Sequence, residues 1–209
     1  MITLKTVRAA LALDDPAFDP VAAQQKISRG PRSEAIEWNH EDDPRLAATM
    51  MLLYPVEDGL YFLLTRRPDT LNSHAGQISF PGGKQEDGET FSATALRETC
   101  EEVGICERIE LLGALTPLWI PPTNFEVHPQ VGYIKRLPTL RIDPLEVAEV
   151  IQTPLGLLLD DSAKGRDTMK YKERSFEYGY YRVGEHQVWG ATAAMLSEFE
   201  TRLRLVIGL

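Results

Sequence analysis

Apolar residues in this chain fall into short runs that turn-forming residues separate. Two runs, at 46–54 and 60–67, flank a short loop containing Asp58 and Gly59, and this pattern predicts a β-hairpin. Further strands are predicted, in chain order, at 76–80, 108–116, 126–135 and 168–182, with a segment of mixed character at 145–160.

Helical spacing of apolar residues occurs in 16–27, from about Thr90 to Val103, and from about Gly190 to Leu205. Thr90 is predicted to cap the middle helix, and Gly104 is predicted to end it. Helices and strands are mixed without regular alternation. This favours an α/β/α sandwich around a mixed β-sheet over a doubly wound fold.

The polar, acidic and turn-rich stretch 28–44 separates the first helix from the rest of the chain. We therefore expect a helix and acidic arm over residues 1–45, followed by one domain over residues 46–209. The arm carries carboxylates that we expect to be solvated, namely Glu34, Glu37, Glu41, Asp42 and Asp43.

Charge narrows the choice of partners, because 22 basic and 31 acidic residues leave a net charge of −9. A chain this acidic is not expected to bind nucleic acid or an anionic membrane surface non-specifically. Its apolar runs are also shorter than the roughly 20 residues that a membrane span needs. Net charge governs solubility and long-range steering rather than any one site, so an anionic substrate held through metal ions or a few arginines remains compatible with this composition.

Two cysteines, Cys100 and Cys106, are too few for a disulfide framework, and no apolar segment of signal-peptide length precedes Asp14. We therefore expect a cytoplasmic protein with reduced cysteines. Cys100 falls on the apolar side of the middle helix and is expected to be a buried structural thiol.

Candidate chemistry is concentrated on the middle helix. At about 100° per residue, Glu101 lies near 300° and Glu102 near 40° from Glu98, so three carboxylates share one face. Like charges at this spacing cost about 0.2–0.5 kcal/mol per pair, and a bound cation would compensate them. Mg²⁺ or Mn²⁺ suits such oxygen ligands, and a solvated acidic helix end is the alternative. The opposite side is predicted to be buried through Ala93, Leu96, Cys100 and Val103.

These carboxylates belong to a longer pattern that starts at Gly83 and ends at Ile105. It resembles the Nudix box, GX5EX7REUXEEXGU with U aliphatic, and departs only at Thr99 in the first aliphatic position. The resemblance implies the Nudix α/β/α sandwich. It also implies divalent-metal-dependent hydrolysis of a nucleoside diphosphate linked to another moiety.

The resemblance assigns roles position by position. It implies catalytic and metal-binding roles for Glu98, Glu101 and Glu102, with the Gly83 carbonyl as a further metal ligand. We choose Glu98 as the general base and hold Glu126, on a later strand, as a second candidate. The same resemblance implies an ion pair between Glu89 and Arg97 that braces the motif.

Residues 63–83, LLTRRPDTLNSHAGQISFPGG, resemble the coenzyme A pyrophosphatase signature LLTXR[SA]X3RX3GX3FPGG. The chain departs from it at Pro68 and at Asn72, which replaces an arginine. The resemblance implies cleavage of coenzyme A or its derivatives into 3′,5′-ADP and 4′-phosphopantetheine. The residues expected to contact substrate phosphates are Arg66, Arg67 and Lys84, and His74 is expected to brace the loop.

Loss of a cation at Asn72 leaves the substrate open, because an additional phosphate usually needs an arginine or lysine partner. Another ADP-linked compound, such as ADP-ribose, is the alternative substrate. A catalytically silent Nudix ligand sensor is the alternative of a different class, and the intact glutamates argue against it. Dimers are common in this superfamily, so a homodimer also stays open, with the N-terminal arm as a candidate interface.

Overall fold

A mixed β-sheet forms the centre of the fold. The computed structural model describes residues 2–27, 40–57, 59–70, 76–106, 108–171 and 174–209. Its helices are α1 (Leu4–Leu11), α2 (Pro20–Gln25), α3 (Phe91–Val103) and α4 (Gly190–Ile207). Its strands are β1 (Arg45–Val56), β2 (Gly59–Arg66), β3 (Ile78–Ser79), β4 (Gly82–Lys84), β5 (Glu110–Ala114), β6 (Leu118–Ile120), β7 (Phe125–Tyr133), β8 (Glu149–Pro154), β9 (Lys164–Tyr171), β10 (Arg174–Val183) and β11 (His186–Trp189).

Strand β1 organises this sheet, whose central order is β3–β2–β1–β7–β5. It pairs antiparallel with β2, where Leu53 lies opposite Phe62, and parallel with β7, where Ala48 lies opposite His128. Strands β4, β6 and β8 attach to β1, β7 and β2 respectively. The β1–β7 pair makes the sheet mixed, which confirms the predicted architecture.

Both faces of β1 are buried, which explains why its sequence is apolar without alternation. Even-numbered residues from Ala48 to Tyr54 share a core with Ala95 and Val103 of α3. Odd-numbered residues such as Met51 share a second core with α4, through residues that include Phe199. One helical layer therefore covers each face of the sheet.

Residues 2–27 contribute to the second core. Val7, Ala10 and Ala23 are buried, and the Ser197 hydroxyl of α4 donates to the Ala23 carbonyl at 2.7 Å. Helix α1 was not predicted, and α2 is shorter than the predicted helix at 16–27. Residues 28–39 of the predicted arm lie outside the described residues, and the domain boundary at residue 45 stays a prediction.

A second sheet, in the order β11–β10–β9, carries the chain into α4. The predicted strand region at 168–182 is thus an antiparallel hairpin of β9 and β10, with Tyr180 opposite Gly165. The mixed segment at 145–160 contains β8 and a short 3₁₀ helix, Leu155–Leu159. Among the described residues, no helix has the length and apolar character to cross a membrane.

Candidate active site

Helix α3 has well-defined ends that agree with the predicted caps. The Thr90 hydroxyl accepts a hydrogen bond from the Ala93 N–H at 3.2 Å, and Gly104 follows the helix with φ of 73°. Glycine is needed at position 104 for a second reason, because a Cβ there would lie 2.9 Å from the Arg141 backbone nitrogen. The loop that contains Arg141 is therefore packed directly against the helix end.

The buried face of α3 differs from the predicted one. Ala93 is exposed and Leu96 is half-buried, whereas Glu102 is only 4% exposed. The helix directs Thr94, Ala95, Thr99, Glu102 and Val103 inward. Hydrophobicity alone did not show this rotation, because Thr94 and Thr99 are buried with their hydroxyls bonded to the backbone carbonyls of Thr90 and Ala95. The consequence is that Glu102 is withdrawn from water while Glu101 is not.

The structure joins Glu89 and Arg97, the pair expected to brace the motif. The Arg97 guanidinium donates to both Glu89 oxygens, at 2.8 and 3.1 Å, and to the Lys84 carbonyl at 3.0 Å. Hydrogen bonds from Arg97, then from Thr94 and the Glu86 backbone, lower the pKa of Glu89 to about 2. This bidentate pair fixes the loop before α3 against the helix.

Glu98 lies against Gly83, which faces Ala48 across the β1–β4 pair. A Cβ at position 83 would overlap the Glu98 carboxylate, so glycine gives this side chain its space. Burial raises the pKa of Glu98, and the hydrogen bond from Arg97 at 2.8 Å opposes that rise. Arg97 also donates to Glu101 at 2.9 Å, and the Glu101 side chain is 59% exposed.

The Glu102 carboxylate is the most deeply buried of the three motif glutamates. Its Oε2 is buried and has no hydrogen-bond partner among the described residues. Burial raises the pKa of Glu102 to about 8, with Glu98 and Glu146 adding to the rise and a hydrogen bond from the Gly82 N–H opposing it. A buried carboxylate with an unsatisfied oxygen is costly unless another group compensates it.

Glu146 joins Glu98 and Glu102 in one group. Each of the three offers a carboxylate oxygen, and these oxygens all lie within 4.8 Å of one another. Glu146 comes from the loop between β7 and β8, and the sequence analysis did not include it. No periodicity links a loop residue to a helix that is distant in sequence, so only the tertiary structure brings it to the site.

This arrangement fits a divalent cation. Three carboxylate oxygens are hard ligands, and the orphaned Oε2 of Glu102 lacks the partner that a cation would supply. When bound, such an ion neutralises charge on phosphate oxygens and lowers the pKa of a coordinated water. Glu101 is not in the group of three, and its expected metal-binding role stays a prediction.

The residues expected to contact substrate occupy different surroundings. Arg66 is paired with Asp69 at 2.6 Å, and the Lys84 side chain belongs to an exposed residue. Arg67 is half-buried, its Nε has no hydrogen-bond partner within the described ranges, and its charge acts on Glu102. Asn72 and His74 lie outside the described residues.

Glu126, the second candidate for the general base, is paired elsewhere. Its carboxylate lies 2.7 Å from Nε2 of His128, and the His128 ring stacks on Phe91 at 3.5 Å between centroids. It does not belong to the group formed by Glu98, Glu102 and Glu146. Its role as a base stays a prediction that this geometry does not support.

The expectation of free cysteines is wrong, because Cys100 and Cys106 form a disulfide. Helix α3 ends between them at Val103, and the turn through Gly104 brings the two residues together. A separation of six residues gave no sign of this turn-closed pair. Cys100 is half-buried rather than a buried thiol.

The fold and site define a class. The protein is a sandwich around a mixed sheet, and its loop–helix element carries clustered, partly buried glutamates. This combination is typical of metal-dependent hydrolases. The NUDIX domain model matches residues 43–155, and the chain belongs to the Nudix family.

Individual relatives agree with this assignment. Nudix hydrolase 3 of Caenorhabditis elegans is 32% identical over 197 residues, which cover 86% of this chain and 82% of the relative. An uncharacterized Nudix hydrolase, NudL, of Photorhabdus laumondii is 34% identical over 145 residues, covering 68% and 77%. The MutT protein from Methanosarcina mazei Go1 shares the fold, with a TM-score of 0.52 at 20% identity over 78% of this chain and 97% of that one.

The chain is therefore a Nudix hydrolase, an enzyme that cleaves pyrophosphate bonds. Nudix hydrolases use divalent ions such as Mg²⁺ or Mn²⁺. The clustered carboxylates of Glu98, Glu102 and Glu146 agree with such a requirement.

Proposed function

We propose that this enzyme hydrolyses the diphosphate of coenzyme A or its derivatives and releases 3′,5′-ADP and 4′-phosphopantetheine. The proposal rests on the signature-like segment 63–83 and on the surroundings of Arg67, the arginine that this segment shares with the signature. Mg²⁺ or Mn²⁺ is the proposed cofactor, held by the motif glutamates and the Gly83 carbonyl.

Arg67 is the observation that carries the proposal. Its backbone N–H donates to the Gln77 carbonyl at 3.0 Å, which fixes the residue just after β2. Its Nε donor is buried without a partner among the described residues, whereas the guanidinium of Arg66 is paired with Asp69. Arg67 thus places a positive charge beside Glu102 and its neighbouring carboxylates, an arrangement that suits a diphosphate bridging the arginine and a bound cation.

The proposed reaction needs one proton acceptor near the three clustered carboxylates of Glu98, Glu102 and Glu146. A water oxygen forms a bond to one phosphorus while the bridging P–O bond breaks, and the water proton passes to the base. We assign that role to Glu98, a half-buried carboxylate that lies beside Gly83 and within reach of Glu102 and Glu146. Arg97, which donates to Glu98, holds this carboxylate in place.

A second substrate class follows from one departure in the signature. Asn72 stands where the coenzyme A signature has an arginine, so one expected cation for the 3′-phosphate is missing. This favours an ADP-linked substrate without that phosphate, such as ADP-ribose.

A product assay separates these functions. The protein is incubated with Mg²⁺ or Mn²⁺ and, separately, with coenzyme A, acyl-coenzyme A, ADP-ribose, dinucleotides and nucleoside triphosphates, and the products are identified by mass. We expect the highest kcat/KM with coenzyme A or acyl-coenzyme A. Preferential cleavage of ADP-ribose would support the second substrate class. No turnover of any compound would contradict both enzyme functions and leave the hypothesis of a catalytically silent ligand sensor.

Variants test the substrate contacts directly. Arg67→Gln should lower kcat/KM for coenzyme A by about 10- to 100-fold, because a charge-assisted contact is lost. Arg166→Gln, at an exposed arginine of β9 paired with Glu177, is the matched control and should change nothing. Asn72→Arg should raise kcat/KM for coenzyme A relative to ADP-ribose. Unchanged values for Arg67→Gln would remove Arg67 from the substrate site.

A cytoplasmic location and a homodimer complete the proposal, although the paired cysteines remove the support that reduced thiols would have given the location. Light scattering of the purified protein tests the second of these, and a monomeric mass at the concentration of the activity assay would contradict it.

A further inference from the structure

We propose that Glu146, which lies outside the Nudix motif, is a direct ligand of the catalytic metal ion together with Glu98 and Glu102. The inference deepens the proposed function, because it concerns the metal of the same site. Its first support is the group itself, in which one oxygen from each of the three carboxylates lies within 4.8 Å of the others.

The second support is the condition of Glu102. This residue is 4% exposed, and its buried Oε2 has no hydrogen-bond partner among the described residues. Native structures rarely leave a buried carboxylate oxygen unsatisfied. A cation shared with Glu98 and Glu146 supplies the missing partner.

The backbone of the 141–148 loop fixes Glu146 at this place. The Arg141 and Asp143 N–H groups donate to the carbonyls of Val103 and Glu102, both at 3.0 Å. On the other side of Glu146, the Ala148 N–H donates to the Arg66 carbonyl at 2.8 Å. The loop is thus attached at one end to the metal-binding helix and at the other to β2, so Glu146 reaches the site from a defined position.

The charges around Glu146 point the same way. Glu101 pairs with Arg97, whereas no salt bridge joins Glu146 to a cation within the described ranges. The carboxylate of Glu146 instead lies close enough to those of Glu98 and Glu102 for the three negative charges to repel one another. An exposed glutamate could turn toward solvent, and its place in this group is readily explained by a shared cation.

The test measures metal binding separately from catalysis. Metal-free full-length protein is titrated with Mn²⁺, and free Mn²⁺ is followed by electron paramagnetic resonance. We expect Glu146→Gln to weaken Mn²⁺ binding by at least about tenfold, the lower end of effects seen for groups that support metal ligands. Glu185→Gln, at an exposed glutamate in the turn between β10 and β11, is the matched control and should bind as the wild type does.

A second variant separates ligation from a simple effect of charge. Glu146→Asp keeps the charge but withdraws the carboxylate by one methylene, so a direct ligand should be lost in both variants. Wild-type Mn²⁺ affinity in Glu146→Gln would overturn the proposal, and so would wild-type affinity in Glu146→Asp. A far-ultraviolet circular dichroism melt of each variant checks that weakened binding does not reflect unfolding.

The outcomes also separate this inference from the proposed substrate. Mn²⁺ binding that depends on Glu146, without cleavage of coenzyme A, would overturn the substrate and keep the metal ligand. Cleavage of coenzyme A with normal Mn²⁺ binding by Glu146→Gln would do the reverse. A wild-type protein that binds no Mn²⁺ would overturn the metal ligand, and the product assay would still decide the substrate.

Discussion

Two buried glutamates, Glu102 on α3 and Glu198 on α4, lie in opposite kinds of surroundings. Glu198 is fully buried, and its carboxylate accepts hydrogen bonds from Arg202, Gln24 and the Thr116 N–H and hydroxyl at 2.9–3.2 Å. Glu102 is nearly as buried, yet it has one backbone donor from Gly82 and an Oε2 without a partner in the described structure.

The difference separates a structural carboxylate from a functional one. The Glu198 network ties α2 and the segment between β5 and β6 to α4, and both carboxylate oxygens already accept hydrogen bonds. Glu102 instead faces two further carboxylates, an arrangement that is unfavourable for folding and useful for cation binding. For these two glutamates, the unsatisfied oxygen of Glu102 distinguishes the active-site carboxylate, whereas burial alone does not.

The largest effect, a loss of kcat, should come from replacing a glutamate of the metal-binding cluster. Glu98→Gln or Glu102→Gln should each lower kcat by about 10²- to 10⁴-fold, the range expected for loss of a base or of a comparable catalytic group. Buried Glu102 must either take up a proton or carry an unfavourable charge, whereas glutamine is neutral without a proton, so the metal-free melting temperature of Glu102→Gln should equal or exceed that of the wild type. Steady-state kinetics and calorimetry measure the two effects. Near-normal activity in both variants would place the active site elsewhere.

Replacing the structural glutamate, Glu198, by glutamine should lower the stability of the fold. Glu198→Gln leaves Arg202 without its charged partner at 2.9 Å and should cost about 3–5 kcal/mol of unfolding free energy. Urea denaturation measures this loss, and Glu102→Gln is the matched control. The kcat of the folded fraction should stay near the wild-type value. If Glu198→Gln lost activity without losing stability, the distinction between the two glutamates would fail.

Added metal should stabilise the protein through Glu102 but not through Glu198. At a Mn²⁺ concentration 100 times Kd, binding to the folded state stabilises it by about 2.7 kcal/mol. Wild-type protein and Glu198→Gln should both gain this stability, whereas Glu102→Gln should gain much less at the same concentration. Thermal melts with and without Mn²⁺ measure the gain. An equal gain in Glu102→Gln would show that the ion binds at another place.

The last effect concerns pH in the metal-free protein, and over any single pH unit it is the smallest, at about 1.4 kcal/mol or less. The folded-state pKa of Glu102, about 8, exceeds the ordinary value of 4.5, because burial and then Glu98 and Glu146 raise it against the opposing Gly82 and Arg67. Between these values the folded state holds the proton more tightly than the unfolded state does. Stability contributed at this residue is therefore present below about pH 4.5 and falls as pH rises to about 8, by at most about 1.4 kcal/mol per pH unit.

Comparison with Glu102→Gln isolates this titration from that of other groups. The unfolding free energy of the wild type minus that of the variant should decrease from pH 5 to pH 8 when both are measured in urea without metal. A constant difference across this range would mean that Glu102 titrates normally.

Local features of the sequence predicted most of the chain near the site. The predicted hairpin at 46–67 corresponds to β1 and β2, and the predicted helix at 90–103 corresponds to α3 at 91–103. Both predictions succeeded because hydrophobic periodicity, helix caps and turn residues depend on only a few neighbouring positions in the sequence. Helix α1 was missed, and its capping box, formed by Thr3 and Thr6, lacks the usual glutamate or glutamine that would have indicated it.

The rotation of α3 could not be predicted in the same way. Its buried threonines made the apolar stripe misleading, so Ala93 was expected inside and is exposed. The disulfide between Cys100 and Cys106 depends on the turn at Gly104 in three dimensions, and it was likewise not anticipated.

The sequence by itself determined the reaction class, because the Nudix motif places its glutamates, its glycine and its bracing ion pair within 23 consecutive residues, 83–105. Tertiary structure decided which carboxylates meet. It buried Glu102, paired Glu101 with Arg97, paired Glu126 with His128 and brought Glu146 from a distant loop. The physical reason is that helical spacing fixes directions only along one element, whereas burial and long-range contacts depend on how elements pack.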